Sequence, residues 1–199
     1  CLFSLYDLVD VLLPVIGRAD VAVSTWTMSR LHMERVRRLL DTGSMSSFTL
    51  ILDRSFASRQ PEYADALREI LGNGLDVRLT KTHAKFVTLR AGDWRIVIRS
   101  SGNYNQSPRL ENVDVDDDGA IYDFFRSIVD ECVERIPAGL DVTGAQVQSA
   151  WVSLWPADGA PIAGDGVDDV GDYGAGDDDV RGWFARNAVP RVVVKRGRR

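Results

Sequence analysis

The sequence is poor in the features that build disulfide scaffolds, metal centres and membrane spans. It has two cysteines in 199 residues, and neither stands at a spacing typical of a disulfide framework or a zinc site. No apolar run approaches the roughly 18 residues that a membrane-spanning helix needs. We therefore expect a reducing, cytoplasmic setting, no metal, no cofactor and no membrane partner.

The N-terminal stretch 2–16 is apolar enough to resemble a signal sequence. Asp7 and Asp10 interrupt it, however, and no basic region precedes it. We interpret it as an amphipathic core helix. Cys1 stands where a lipidated cysteine would in a processed lipoprotein, and a chain clipped at a boundary explains it equally well; we favour the clipped chain.

Charge is unevenly distributed along the chain. The net charge of -5 argues against a generic nucleic-acid coat, because unspecific binding depends on many Lys and Arg contacts to phosphates. Residues 156–180 contain eight Asp and no base, and their low apolar content predicts disorder. The tail that follows is basic, and we expect it to add salt-sensitive affinity for polyanions through Arg181, Arg186, Arg191, Lys195, Arg196, Arg198 and Arg199.

Apolar residues recur at helical and strand spacing in alternation over the first 137 residues. This alternation predicts an α/β fold in which helices flank a mixed β-sheet. A short packing element over 138–155 and the acidic and basic tail over 156–199 should follow the domain 1–137. The predicted helices lie within 5–13, 28–40, 61–71 and 121–136, and the predicted strands over 21–26, 48–52, 75–79, 84–89 and 95–98, with a turn at 91–93.

The residues with chemical potential are concentrated between positions 83 and 111. Residues two apart on a strand share a face, so His83 and Lys85 should direct an imidazole and an ammonium at one phosphate. Ser101 and Asn103 repeat that spacing. The candidate site residues are His83, Lys85, Asp93, Ser100, Ser101, Asn103, Arg109 and Glu111.

This series resembles the HKD motif of the phospholipase D superfamily, in which H-x-K, a downstream D and a G-S-x-N segment line one phosphate site. Six residues separate Asp93 from Ser100, as in the family pattern, and Ser100 replaces its Gly. Seven residues separate Lys85 from Asp93 where the family usually has four, which puts Arg90 at the usual position. A hairpin lengthened by three residues would account for the difference. The resemblance covers about residues 1–136 and implies a phospholipase D-like fold.

The resemblance also implies roles for these side chains. His83 would attack phosphorus to form a phosphohistidine, while Lys85 and Asn103 stabilise charge on the phosphate oxygens. Glu111 would orient His83, and Ser100 and Arg109 would help to bind substrate. Asp93 is carried over with the least support from spacing.

Only one copy of the motif is present, and no internal repeat supplies a second. His32, the only other histidine, lies mid-helix and is predicted to be partly exposed. The resemblance is therefore to single-motif members, several of them nucleases, whose site forms across a homodimer axis. We expect a homodimeric phosphodiesterase that acts on nucleic acid, with DNA favoured over RNA. The alternative is a non-catalytic module of the same fold that binds phosphate or DNA.

Overall fold

The computed structural model describes residues 4–72, 75–105 and 111–141. Helices and strands alternate through these ranges, as the apolar spacing predicts. The helices are α1 (Leu5–Ile16), α2 (Arg30–Asp41), α3 (Phe56–Arg59), α4 (Pro61–Leu71) and α5 (Gly119–Arg135). The strands are β1 (Ala19–Thr25), β2 (Met45–Asp53), β3 (Asp76–Thr80), β4 (Phe86–Ala91), β5 (Trp94–Ser100) and β6 (Val113–Asp116).

The strands form one mixed sheet in the order β3-β2-β1-β4-β5-β6. The first three strands are parallel, whereas β4, β5 and β6 each run antiparallel to the neighbour that precedes them in this order. One edge of the sheet therefore collects the carboxyl ends of β1, β2, β3 and β5 and the amino ends of β4 and β6. We call it the carboxyl edge. The predicted mixed sheet flanked by helices is confirmed.

Alternating side chains along the strands build a core on each face of the sheet. Val21 and Val23 of β1 point to the larger core, which contains apolar residues of α1, α2 and α4. Ala22 points to the smaller core beneath α5, where Val129 and Cys132 are buried. Each fully buried large side chain stabilises the fold by about 1.5–3 kcal/mol, so the two cores hold the sheet and its edges in place.

Side-chain caps determine where two of the helices begin. At the start of α1, Ser4 Oγ accepts from Asp7 N at 3.3 Å, and Asp7 Oδ2 accepts from Ser4 N at 2.7 Å. At the start of α5, Asp118 Oδ1 accepts from the amides of Ala120 and Ile121. These bonds satisfy amide groups that have no partner within the helix.

Several predicted boundaries differ from the structure. Strand β4 begins at Phe86 rather than at 84, so His83 and Lys85 precede the strand. Strand β6 and helix α3 were not predicted, because one is a short, partly exposed edge strand and the other a single helical turn. The prediction for His32 was wrong: the side chain is 2% exposed, packed between α1 and the Tyr104 ring.

Part of the predicted organisation lies outside the described residues. A single bridge between Arg78 and Ala138 joins the start of the 138–155 element to β3. The rest of that element, from residue 142, and the whole tail over 156–199 lie outside the described ranges. Among the helices that are described, none has the length and apolar character to cross a bilayer.

Candidate functional site

The candidate site lies at the carboxyl edge, where β4 inserts beside β1. Ser100 N donates to Lys85 O at 3.0 Å, which continues the β4–β5 ladder by one pair and places 100–103 beside 83–85. The chain leaves β3 at one side of the sheet and crosses to the far side of β1 to begin β4. Open α/β sheets bind ligands at carboxyl ends near such a change of direction.

His83 and Lys85 are in direct contact. Lys85 Nζ lies 2.9 Å from Nδ1 and 3.1 Å from Nε2 of the His83 ring. The same ammonium donates to the His83 carbonyl oxygen at 2.8 Å. Lys85 is 9% exposed, whereas the His83 side chain is exposed. The structure therefore holds a buried cation against an imidazole that a ligand can reach.

The environment lowers the pKa of both groups. Desolvation lowers the pKa of His83 below its usual 6.5, the charge of Lys85 lowers it further, and Asp53 opposes the shift. Desolvation also lowers the pKa of Lys85, against the charge of Glu111. His83 is consequently neutral at pH 7, the form in which a ring nitrogen has a lone pair for nucleophilic attack or proton abstraction.

Asn103 is anchored to the end of β1. Its Oδ1 accepts from Trp26 N at 3.2 Å and from Thr25 Oγ1 at 3.4 Å. The amide of the buried Tyr104 donates to Thr25 Oγ1 at 3.0 Å. No residue in the described ranges accepts from Asn103 Nδ2, which leaves that group as a donor for a ligand oxygen.

Ser101 and Glu111 form a second polar pair on the β6 side. Ser101 Oγ donates to Glu111 Oε2 at 2.5 Å and accepts from Asn112 N at 3.0 Å. Within the described residues, Glu111 hydrogen-bonds Ser101 and not His83. No contact in the described residues therefore supports its expected role of orienting His83. Its charge acts instead on Lys85.

Other predicted site residues have different positions. Asp93 lies in the turn of the β4–β5 hairpin, at the opposite end from His83, because β4 and β5 pair without interruption from Phe86–Arg99 to Ala91–Trp94. The lengthened hairpin thus carries Asp93 away from the carboxyl edge. Ser100 Oγ accepts from Gly102 N at 2.9 Å and supports the loop. Arg109 lies outside the described residues.

Sequence reasoning did not identify Asp53, Trp26 and Arg59. Asp53 ends β2, and its Oδ2 accepts from Thr82 N at 3.2 Å, which fixes the segment that carries His83. The Trp26 ring meets the His83 ring edge-on, with centroids 5.6 Å apart. The one available signal was position, since Trp26 and Asp53 follow directly after apolar strand sequences, where open α/β sheets place ligand-binding residues.

The described ranges contain no group of three or more His, Cys, Asp or Glu side chains that are arranged to hold a metal ion. The site brings together an imidazole, an ammonium, an amide and a hydroxyl, with the Glu111 carboxylate bound to that hydroxyl. Such a set can bind and polarise an anionic ester through hydrogen bonds and charge.

The fold defines the chain as an α/β protein with a mixed open sheet, and a candidate site with a contact between His83 and Lys85 lies at its carboxyl edge. No protein-family model matches the chain, and no curated protein is similar to it. Among solved structures it is similar to TrmBL2, an archaeal chromatin protein whose structure shows a novel mode of DNA binding. The identity is 11% and the TM-score 0.40, over 67% of this chain and 60% of that one. The chain therefore spans less than two thirds of TrmBL2, and a likeness at this level supports no functional argument.

Proposed function

We propose that this protein is a phosphodiesterase with a phospholipase D-like fold. It cleaves the backbone of nucleic acid, with DNA favoured over RNA, at a site shared by two copies of the chain. The observation that carries the proposal is the contact between the exposed imidazole of His83 and the buried ammonium of Lys85. Asn103 Nδ2 adds a donor beside them. These groups match what a phosphodiester requires, a nucleophile next to donors for its anionic oxygens.

The proposed reaction has two displacements. A ring nitrogen of His83 attacks phosphorus, the bond from phosphorus to the leaving oxygen breaks, and that oxygen takes a proton from a general acid. The product is a phosphohistidine and a free hydroxyl. Water then attacks phosphorus and gives up a proton to the base that the first step created. The P–N bond breaks to release a phosphate monoester and restore His83, so each turnover consumes one water.

The general acid is proposed to be the protonated His83 of a second copy, a form that the negative charge of the bound phosphodiester would favour against the lowered pKa of the free site. Within one chain, the other histidine cannot serve, because His32 is buried with Nδ1 2.6 Å from Ser29 Oγ and Nε2 3.5 Å from Ser4 Oγ. Asp53 is already engaged by Thr82 N and Ser55 N. A two-fold dimer that opposes two carboxyl edges would supply the missing proton donor.

Trapping the covalent intermediate tests this function. The full chain is incubated with a phosphodiester labelled at phosphorus and quenched in alkali, where phosphohistidine survives. We expect label on a peptide that contains residue 83. His83→Asn should bind the same substrate with little change but take up no label and give no turnover, since an amide keeps the size and polarity without the attacking nitrogen.

DNA, RNA and a generic phosphodiester are compared in the same assay. Cleavage of DNA in preference to RNA would support the named substrate. A wild-type chain that binds nucleic acid but neither hydrolyses any of the three nor retains label contradicts catalysis. That outcome would assign the site to a non-catalytic module that binds phosphate.

A further inference from the structure

Exposed cations border His83 on the β2–β3 side of the carboxyl edge. Arg54 follows β2, Lys81 follows β3, and Arg59 ends α3. Across the described part of the chain, none of the three forms an ion pair with a carboxylate. We call Arg54, Arg59 and Lys81 the basic track.

Hydrogen bonds hold the track next to the catalytic histidine. Arg54 N donates to Thr80 O at 2.8 Å, so Arg54 and Lys81 extend from adjacent strand ends. Thr82, between Lys81 and His83, is tied to the same strand end through Asp53. The backbone positions of Arg54 and Lys81 are therefore fixed at the strand ends that adjoin the segment carrying His83.

Arg59 is stacked on Trp26. Its guanidinium carbon lies 3.7 Å from the centre of the indole ring, while Nη2 donates to Trp26 O at 3.2 Å and Nε donates to Ser55 Oγ at 2.8 Å. Trp26 is half-buried and Arg59 is exposed. The same indole ring meets the His83 ring in a T-shaped arrangement. A planar, cationic surface is thus built one side chain away from His83.

We propose that the basic track and the Trp26–Arg59 stack form a binding surface for single-stranded nucleic acid. Arg54 and Lys81 contact phosphates that flank the scissile one, and an unpaired base stacks on the guanidinium and indole planes. Placing the scissile phosphate at His83 rests on the proposed function. A single strand fits better than a duplex, because aromatic and guanidinium planes bind bases that are free of their own stack.

Salt dependence tests the phosphate contacts. The full chain carrying His83→Asn, which prevents turnover, is titrated against a fluorescent single strand of roughly 15 nucleotides, a length that spans a typical single-strand site. Adding Arg54→Ser and Lys81→Ser should flatten the slope of log affinity against log salt by about 1.4, since each phosphate contact to a single strand contributes about 0.7. The matched control adds Arg18→Ser and Arg38→Ser, and should leave the slope unchanged. These two exposed cations lie near the opposite edge, and neither forms an ion pair within the described ranges.

Strand preference tests the stack. Trp26→Ala should weaken single-strand binding by roughly tenfold, the loss of about one stacked base, and should leave binding of a duplex of the same sequence unchanged. Trp26→Phe retains a ring and should keep most of the affinity, which separates stacking from misfolding. Arg59→Lys keeps the positive charge but loses the planar guanidinium group. It should weaken single-strand binding while preserving the salt slope.

The outcomes separate this inference from the proposed function. The binding surface would be contradicted if the variant with Arg54→Ser and Lys81→Ser had the same salt slope as the control with Arg18→Ser and Arg38→Ser. It would also be contradicted if Trp26→Ala lost duplex and single-strand affinity equally. Both results apply whether or not the chain cleaves nucleic acid. If the binding measurements follow all three expectations but the wild-type chain shows neither turnover nor label, the binding surface is supported and the phosphodiesterase activity is contradicted.

Discussion

At the scale of single residues, the ammonium of Lys85 is in contact with the His83 ring. Desolvation and the Lys85 ammonium both lower the pKa of His83, so Lys85→Met should raise that pKa by removing the second cause. We expect the His83 ring to titrate at higher pH when it is followed by NMR. Lys81→Met, which removes an exposed lysine from the same segment, should leave the pKa of His83 unchanged. Equal shifts in the two variants would contradict a specific effect of Lys85.

The same residues predict how activity responds to metal removal. In the proposed mechanism, Lys85, Asn103 and the His83 residues of two copies would supply the charge stabilisation and proton transfer that metal ions provide in metal-dependent phosphodiesterases. Turnover should therefore be unchanged by chelator. Loss of activity in EDTA with recovery on adding Mg²⁺ would show that the proposed histidine mechanism is wrong.

His32 is predicted to link stability to pH. Burial lowers its pKa below 6.5, the charge of Arg35 lowers it further, and Asp7 opposes the shift. A histidine with a depressed pKa binds fewer protons in the folded state than in the unfolded state. Its contribution to stability is thus present above pH 6.5 and is lost as the pH falls through that value towards the folded pKa.

Urea unfolding between about pH 5 and pH 8 measures this effect. The wild type should lose stability on acidification, with a contribution from each histidine because the pKa of His83 is lowered as well. His32→Gln should be less stable at neutral pH, because the buried ring contacts are lost, but should show a shallower decline. Parallel profiles for His32→Gln and the wild type would exclude His32 as the linked group.

At the scale of secondary-structure elements, the loop after β5 depends on a glycine. A Cβ on Gly102 would lie 3.0 Å from Glu111 Cγ and 3.3 Å from Ser100 Oγ. Gly102→Ala should therefore displace Glu111 from Ser101 and lower the free energy of unfolding by about 1 kcal/mol, the mild end of overpacking because Glu111 is partly exposed.

Gly119→Ala is the matched control for this change. Its Cβ would meet Arg95 Nη1 at 3.6 Å, an ordinary contact, and the residue begins α5. Alanine favours the helix, so stability should stay level or rise by up to about 1 kcal/mol. Denaturant unfolding of the two variants measures the difference, and equal losses would contradict the crowding at Gly102.

At the scale of the whole molecule, a shared site predicts how activity falls when subunits are mixed. If each site needs His83 from two chains, equal co-expression of wild type and His83→Asn should leave about a quarter of the wild-type rate, because only pairs of wild-type chains are complete. Equal co-expression with Arg18→Ser, which is remote from the site, should cause no such loss. A remaining rate of about half, or a fully active monomer in sedimentation, would contradict the shared site.

The sequence predicted the candidate site in part, and the limits have a physical cause. His83 and Lys85 are two residues apart, so their contact follows from local backbone geometry even though β4 begins after them. The resemblance grouped Glu111 with His83, whereas the folded chain pairs Glu111 with Ser101. Trp26, Asp53 and Arg59 were not identified, because their proximity to His83 depends on pairing between distant strands.

The sequence by itself determined the class of the fold, since apolar spacing reflects the local periods of helices and strands and records which faces are buried. Only the tertiary structure decided the strand order, the burial of His32 and the end of the hairpin at which Asp93 lies. These depend on the crossover that places β4 against β1 and on the uninterrupted pairing of β4 with β5. The tertiary structure also brought the Trp26–Arg59 stack against the His83 ring, a contact between residues far apart in the chain that local periodicity does not encode.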